Sequence, residues 1–455
     1  MGLFANLNYA RTQVYVIAAV CFLCPGMWNA LNSLPAATPK QETVKDQQNA
    51  AVYICFAIFG LLGGGINNIL GPRILAAIGG TGYSLYAAAQ YNIFKNGEGG
   101  YGPSFSIFSG AYLGVAAGML WAAQGQICLT YPTESQKGTF FAIFWIIFNL
   151  GGVIGNLLST SLAWPKGSDG PAIGDETYFC FILLMQCGSL VAMLIQPPGT
   201  IVREDQSQVE VRESTTVLVE LTELIKLFKN PALLTLLLPC FSSNWFYSYQ
   251  FGPYQTNFSG RSKNLNALFY WAAQAVAAWV LGHSFLDNTK YGRIQRAWTG
   301  LYVLIASTLI TFGCGAVFEY FSNIKGWTQK ENRIDASSDT ATYIGPFLLY
   351  ACYGAYDAFF QVYTYYLIGA ISNTSETLSR YSGFYKGMQS AGQGLSWALT
   401  GFIFLGDNAL SNTTQFWIMV VPCALSVVFW AVFVARYVKD TTVETSLLPK
   451  NEEWD

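Results

Sequence analysis

Residues 343–371 read YIGPFLLYACYGAYDAFFQVYTYYLIGAI, a membrane-length apolar run with one carboxylate, Asp357, at its middle. About 20 mostly apolar residues cross a bilayer as a helix, so this stretch is long enough to span and Asp357 falls near the midplane. No other Asp, Glu, Lys, Arg or His of the chain stands so deep in an apolar run. A charge there costs about 2.5–3.5 kcal/mol on insertion scales, so Asp357 is expected to face other helices or a water-filled cavity rather than lipid. Helical spacing puts Tyr350, Tyr353, Asp357, Gln361 and Thr364 on one face, a polar stripe in an otherwise apolar helix. Two readings are open: a neutral Asp bonded to a neighbouring Tyr as packing, or a group that serves coupling or substrate binding.

Working outward, the chain of 455 residues is only 11% charged but 52% hydrophobic and 16% aromatic, which excludes an ordinary soluble domain. A net charge of −2 offers no basic field, so nucleic acid is not an expected partner; the lipid bilayer is. All ten cysteines fall in apolar segments, where Cys behaves as a small buried hydrophobe, and the lone His283 cannot build a metal cluster. No metal or cofactor is expected. The first apolar run is too long for a cleaved signal peptide and is expected to be retained.

Apolar runs bounded by charged or Gly/Pro-rich breaks number twelve, at about 13–34, 50–70, 74–93, 104–130, 139–163, 178–197, 232–252, 265–286, 297–319, 343–371, 384–405 and 413–435. The longest polar break lies between the sixth and seventh. The fold class expected is an all-α membrane protein of twelve transmembrane helices in two pseudo-symmetric six-helix bundles, residues 1–198 and 231–438, with a linker at 199–230 and a tail at 439–455. Fifteen of 24 Lys and Arg, Lys386 among them, fall on the side of the termini, which predicts cytosolic termini. On that topology the sequons at Asn257 and Asn412 face outward and are candidate glycosylation sites, whereas the one at Asn373 stays bare. Glycines spaced in fours, Gly114 with Gly118, Gly151 with Gly155 and Gly383 with Gly387, predict close helix approach.

Amides recur at helical spacing: Asn29 and Asn32 on the first span, Asn149 and Asn156 on the fifth, Gln389 and Gln393 on the eleventh, with Asn244 and Tyr247 sharing a face of the seventh. With Tyr350, Tyr353 and Gln361 they outline a polar, aromatic-rich cavity. Its chemistry suits a small, neutral or weakly cationic amphipathic organic solute, because no Lys or Arg is expected inside it to hold an anion. An enzyme is not expected, since no nucleophile, metal cluster or general-base constellation stands in the sequence.

The second span ends in Gly64-Gly-Ile-Asn-Asn68-Ile-Leu-Gly71-Pro-Arg73, and a looser counterpart, Asp287-Asn-Thr-Lys-Tyr-Gly292-Arg293, follows the eighth. Both resemble the loop signature of the major facilitator superfamily, a tight turn with a charge-relay latch, although Asn68 replaces the usual acid and Asp287 stands five residues before Gly292 instead of three. A closer resemblance runs through Asn6-Leu-Asn-Tyr-Ala-Arg11-Thr-Gln, Pro25-Gly-Met-Trp-Asn29-Ala-Leu-Asn32, Tyr131-Pro-Thr-Glu134-Ser-Gln-Lys137-Gly, Phe148-Asn149-Leu-Gly-Gly152 and Arg380-Tyr-Ser-Gly383-Phe-Tyr-Lys386-Gly-Met-Gln389-Ser-Ala-Gly392. Together these blocks resemble the fungal branch of the uncoordinated-ninety-three-like family of that superfamily. The resemblance implies the superfamily fold and a secondary transporter of alternating access, with proton coupling assigned to Asp357. Some animal relatives instead resemble channel regulators or trafficking chaperones, so a non-transporting partner of another membrane protein is the alternative. The family pattern carries an Arg and an acid after the Ser-Trp pair of span eleven. Here Ala398, Leu399 and Thr400 follow Ser396-Trp397, which leaves Asp357 more isolated. The tail string Glu444-Thr-Ser-Leu447-Leu448 matches dileucine-type sorting, so the plasma membrane or a vacuolar or endosomal membrane is the expected location.

Overall fold

The computed structural model describes residues 7–33, 38–97, 99, 101–132, 137–164, 174–203, 205–207, 217–286, 290–371 and 375–440. Asp287, Asn373, Glu134 and the dileucine string lie outside them, as does the side chain of Asn68. Twelve long helical segments follow one another among the described residues. They are α1 (Ala10–Asn32), α2 (Pro39–Leu70), α3 (Pro72–Asn96), α4 (Gly102–Thr130), α5 (Lys137–Ala163) and α6 (Asp175–Val191), then α7 in three short pieces (Pro231–Thr235, Leu237–Ser242, Tyr247–Phe251). After these come α8 (Gly260–Leu286), α9 (Arg293–Lys325), α10 (Thr340–Gly369), α11 (Ser375–Ala398, continued by a wider turn through Ile403) and α12 (Asn412–Tyr437). Eight of them (α1, α2, α4, α5, α6, α8, α9 and α12) are by length and composition alone able to cross a bilayer. The linker contains a further helix, Val217–Leu227.

Local chemistry sets the ends. Thr38 caps α2 by accepting from the Gln41 N–H at 3.2 Å, Asp339 caps α10 through the Thr342 N–H, and Ser411 caps α12 through the Thr414 N–H. Pro39 and Pro72 occupy first helical positions, where a missing N–H costs nothing. Gly71, between α2 and α3, has φ +80°, a conformation that disfavours any side chain. Pro25 sits in a wide turn within α1 (Phe22–Gly26), and Pro239 together with the Ser-Ser-Asn run at 242–244 leaves α7 unwound at 243–246.

Helices approach closely where side chains are absent. A Cβ on Gly114 of α4 would lie 2.1 Å from the Val52 carbonyl oxygen of α2, and one on Gly151 of α5 would lie 2.4 Å from the Phe22 carbonyl oxygen of α1. The two halves meet through α2 against α11 and α5 against α8. At the end away from the termini, Gln47 donates to the Gly401 carbonyl at 2.8 Å. There too Arg261 of α8 pairs with Asp335 while its guanidinium lies 5.5 Å over the Trp164 ring. Outward-facing apolar side chains such as Leu183, Leu309 and Val421 are exposed, the surface a bilayer covers.

Candidate functional site

Between the halves lies a cavity open to solvent, with about 660 Å³ of empty space counting that open part. Its two walls come from different halves. The first half supplies Trp28, Asn29, Tyr53, Phe56, Tyr83, Trp121, Trp145 and Phe148. The second supplies Asn244, Tyr247, Trp271, Gln274, Gln361, Lys386, Gln389, Ser390 and Gln393.

Asp357 is fully buried one layer behind the second wall. Its Oδ2 accepts from the Tyr247 hydroxyl at 2.7 Å, the Tyr270 hydroxyl at 3.1 Å and the Gln274 amide, and its Oδ1 accepts from Gln361 Nε2 at 2.7 Å. Four donors, with no contacting cation among the described residues, replace water around the carboxylate. The unwound part of α7 brings Tyr247 there and sets Asn244 within 3.2 Å of Gln393 Oε1. Broken helices at mid-membrane expose backbone and polar side chains where a site is needed. Tyr270 stands between two acceptors, since its one hydroxyl proton can also go to Gln250 Oε1 at 3.0 Å.

Of the residues singled out in the sequence, Asn29, Asn244, Tyr247, Gln361, Gln389 and Gln393 line the cavity. Five do not. Asn32 faces away into α2 and α3, where its Oδ1 accepts from Asn49 Nδ2 at 2.9 Å and from the Tyr86 hydroxyl at 3.3 Å. Asn149 and Asn156 turn back on their own helix, donating to the carbonyls of Trp145 at 3.0 Å and Gly152 at 2.9 Å. Tyr350 stacks on Tyr254 at 5.2 Å, and Tyr353 packs edge-on to Tyr254 with its hydroxyl against Gly315, so both belong to the aromatic interior of the second half.

The expectation that no Lys or Arg reaches the cavity is corrected by Lys386. α11 begins at Ser375, so Lys386 stands eleven residues in, about 16 Å along the axis, rather than at the edge of the span. Its ammonium lies 4.9 Å from the Trp121 ring centre and donates to Gln389 Oε1 at 2.9 Å. Tyr270 and Gln274 also escaped the sequence reading, although their spacing of four on an apolar span is the same signal that marked Gln389 and Gln393. A second buried carboxylate, Glu319 of α9, accepts from the Tyr249 hydroxyl and from Thr413 Oγ1 at 3.1 Å, remote from the cavity.

At the loop motifs, Arg73 donates through Nη2 to Gln196 Oε1 at 2.9 Å and through Nε to the Ile195 carbonyl, tying the α2–α3 turn to the end of α6. In the second half Gly292 packs against Asp440, whose Oδ1 accepts the Ile294 N–H at 3.0 Å, and Arg293 reaches the Ala370 carbonyl at 3.4 Å. Among the described residues, the acid beside Gly292 is thus Asp440, at the start of the tail. Asn257, an expected glycan acceptor, is fully buried, with its amide nitrogen on the carbonyls of Pro253 and Tyr254 and its oxygen accepting from Ser322 at 2.6 Å. Asn412, at the start of α12, is half-buried.

The sequence profile described as Major Facilitator Superfamily matches residues 15–325. UNC93-like protein 1 of Arabidopsis thaliana is 37% identical over 395 residues, covering 86% of this chain and 84% of that one. UNC93-like protein C922.05c of Schizosaccharomyces pombe is 39% identical over 403 residues, covering 88% and 78%. Among solved structures, a D-xylose-proton symporter superposes with TM-score 0.60 at 13% identity, covering 94% of this chain and 98% of its own. The nucleoside transporter NupG gives TM-score 0.60 at 12% identity, covering 93% and 99%. At such identities these two carry the fold alone. With twelve helices in two six-helix bundles around a central cavity, and relatives of this similarity over most of its length, the chain belongs to the UNC93-like family of the major facilitator superfamily.

Proposed function

We propose that the protein is a proton-coupled secondary transporter that carries a small amphipathic organic solute through the cavity by alternating access. The observation that carries this reading is the setting of Asp357. Its carboxylate has four hydrogen-bond donors, and one of them, Tyr270, has Gln250 as a second acceptor. When Asp357 is protonated, the Tyr270 proton turns to Gln250 and the freed oxygen accepts from the carboxylic acid. Both protonation states are thus hydrogen-bonded without moving a helix, which a packing role does not require. Tyr247, Gln274 and Gln361 each touch both Asp357 and the cavity, so a solute that engages them alters the carboxylate's surroundings directly. The aromatic first wall gives the solute's apolar face a surface. With Lys386 in the lining, the premise that favoured a neutral or weakly cationic solute falls away.

Purified protein in vesicles under an imposed pH gradient tests the reading. Accumulation of a solute above its equilibrium level, abolished by a protonophore, is expected. Vesicles that accumulate nothing from a broad panel of organic solutes, while the protein co-purifies with another membrane protein and controls its abundance, would favour the regulator.

A further inference from the structure

We propose that Lys386 is the anchor of a carboxylate subsite, so that the solute is a small amphipathic organic acid whose binding is linked to protonation of Asp357. The inference rests on the reading of Asp357 as the proton site and names the class of solute.

Lys386 is the single charged side chain in the cavity lining among the described residues. One of its three ammonium hydrogens goes to Gln389, and no carboxylate of the described residues lies within ion-pairing distance. The Trp121 ring below it stabilises the cation but leaves donors for an oxyanion. A continuous chain then runs to Asp357. Lys386 donates to Gln389 Oε1 at 2.9 Å, Gln389 Nε2 to Gln361 Oε1 at 3.2 Å, and Gln361 Nε2 to Asp357 Oδ1 at 2.7 Å. Every amide points its donor toward the carboxylate, an order that a cation at one end and an anion at the other reinforce.

Charge balance supplies the linkage. With Asp357 ionised, the chain joins equal and opposite charges and the region is neutral. A proton on Asp357 leaves the Lys386 cation uncompensated in a low-dielectric pocket, and an organic carboxylate restores neutrality. Proton and organic anion therefore bind better together than apart, and the linkage is reciprocal. The other titratable groups facing the pair are tyrosines: Tyr247 and Tyr270 on Asp357, Tyr365 and Tyr385 beside Lys386, and Tyr53 and Tyr83 in the lining from the first half.

Calorimetry on the purified full chain with three probes of one shape, 2-naphthoate, 2-naphthylmethanol and 2-naphthylmethylammonium, tests this. At about pH 5.5 the carboxylate is expected to bind about tenfold more tightly than either other probe, the scale of one charge-assisted hydrogen bond. Lys386→Gln and Lys386→Met should both remove that preference, and Lys386→Arg should retain most of it. Raising the pH to about 7 should weaken naphthoate binding severalfold in the wild type and much less in Asp357→Asn. A carboxylate that binds no better than the alcohol, or a preference that survives Lys386→Gln and Lys386→Met, overturns the subsite. A preference that ignores pH in the wild type overturns the linkage. If the preference stands but naphthoate is never accumulated under a pH gradient, the subsite holds and it is the transporter reading that fails.

Discussion

The two walls of the cavity are built from corresponding spans yet carry different chemistry. The first half contributes seven aromatic rings and one amide, Asn29, whereas the second contributes two aromatic rings, Tyr247 and Trp271, with five Asn and Gln side chains, a serine, a lysine and, one layer behind, the carboxylate. Aromatic faces offer a solute dispersion and area without fixing a charge state, while amides and charges discriminate. On the proposed transport reading, apolar contact with the solute falls mainly to the first half and proton and charge handling mainly to the second. α4, which corresponds in order to α10, faces the cavity through Leu113, Ala117 and Trp121 and has no carboxylate.

Removing the second wall's anion should do the greatest damage. Asp357→Leu deprives Tyr247, Gln274 and Gln361 of their acceptor, each at up to about 1–3 kcal/mol, while Tyr270 can turn to Gln250, so the variant is expected to fall well below wild-type abundance in membranes, measured by fluorescence-detected chromatography. Trp121→Ala on the first wall should leave abundance near normal. It is expected to weaken solute binding about tenfold or more, since the Trp121 ring meets both the solute and the Lys386 ammonium, while changing the pH dependence of that binding less than Asp357→Asn does, which titrations at two pH values would check. A pH dependence lost in Trp121→Ala as fully as in Asp357→Asn would mean that the walls do not divide their tasks.

Smaller effects separate the halves away from the cavity. Burial pushes the Asp335 carboxyl up, but the Arg261 guanidinium, the Ser259 hydroxyl and the N–H groups of Ser338 and Ser337 outweigh it and hold the group well below the ordinary carboxylate range. A depressed folded value contributes stability that is present above the unfolded pKa, about 3.9, and is lost only as pH falls through the folded one. Asp335→Asn should therefore lower the melting temperature by a few degrees, by the same amount at about pH 8 and pH 5. The smallest expected effect is at the sequons: Asn257→Gln should not change mobility after endoglycosidase treatment, because that side chain is buried in the second half. Any glycan among the described sequons should be lost with Asn412→Gln.

The helices were legible because apolar runs of membrane length leave little choice of structure, and the glycine pairs at 114/118 and 151/155 marked close approach correctly. The site was legible in part. A helical face drawn on α10 finds Asp357 and Gln361, but it cannot say which neighbour stands opposite. Tyr350 and Tyr353 therefore look equivalent to Gln361 until α7 and α9 are in place around them. Lys386 was missed for a different reason. Hydropathy began that span at 384, whereas the polar first turns of α11 continue the helix down to Ser375 and carry the lysine inside. The pattern Lys386, Gln389, Gln393 at spacings of three and four records the same face.

The central claim is that Asp357 binds the transported proton, and one comparison in vesicles tests it. Asp357→Asn keeps the shape of the side chain and removes its titration. Solute exchange without a pH gradient should continue in the variant, while gradient-driven accumulation, normal in the wild type, should be absent at equal protein content. Undiminished gradient-driven accumulation in Asp357→Asn would contradict the account.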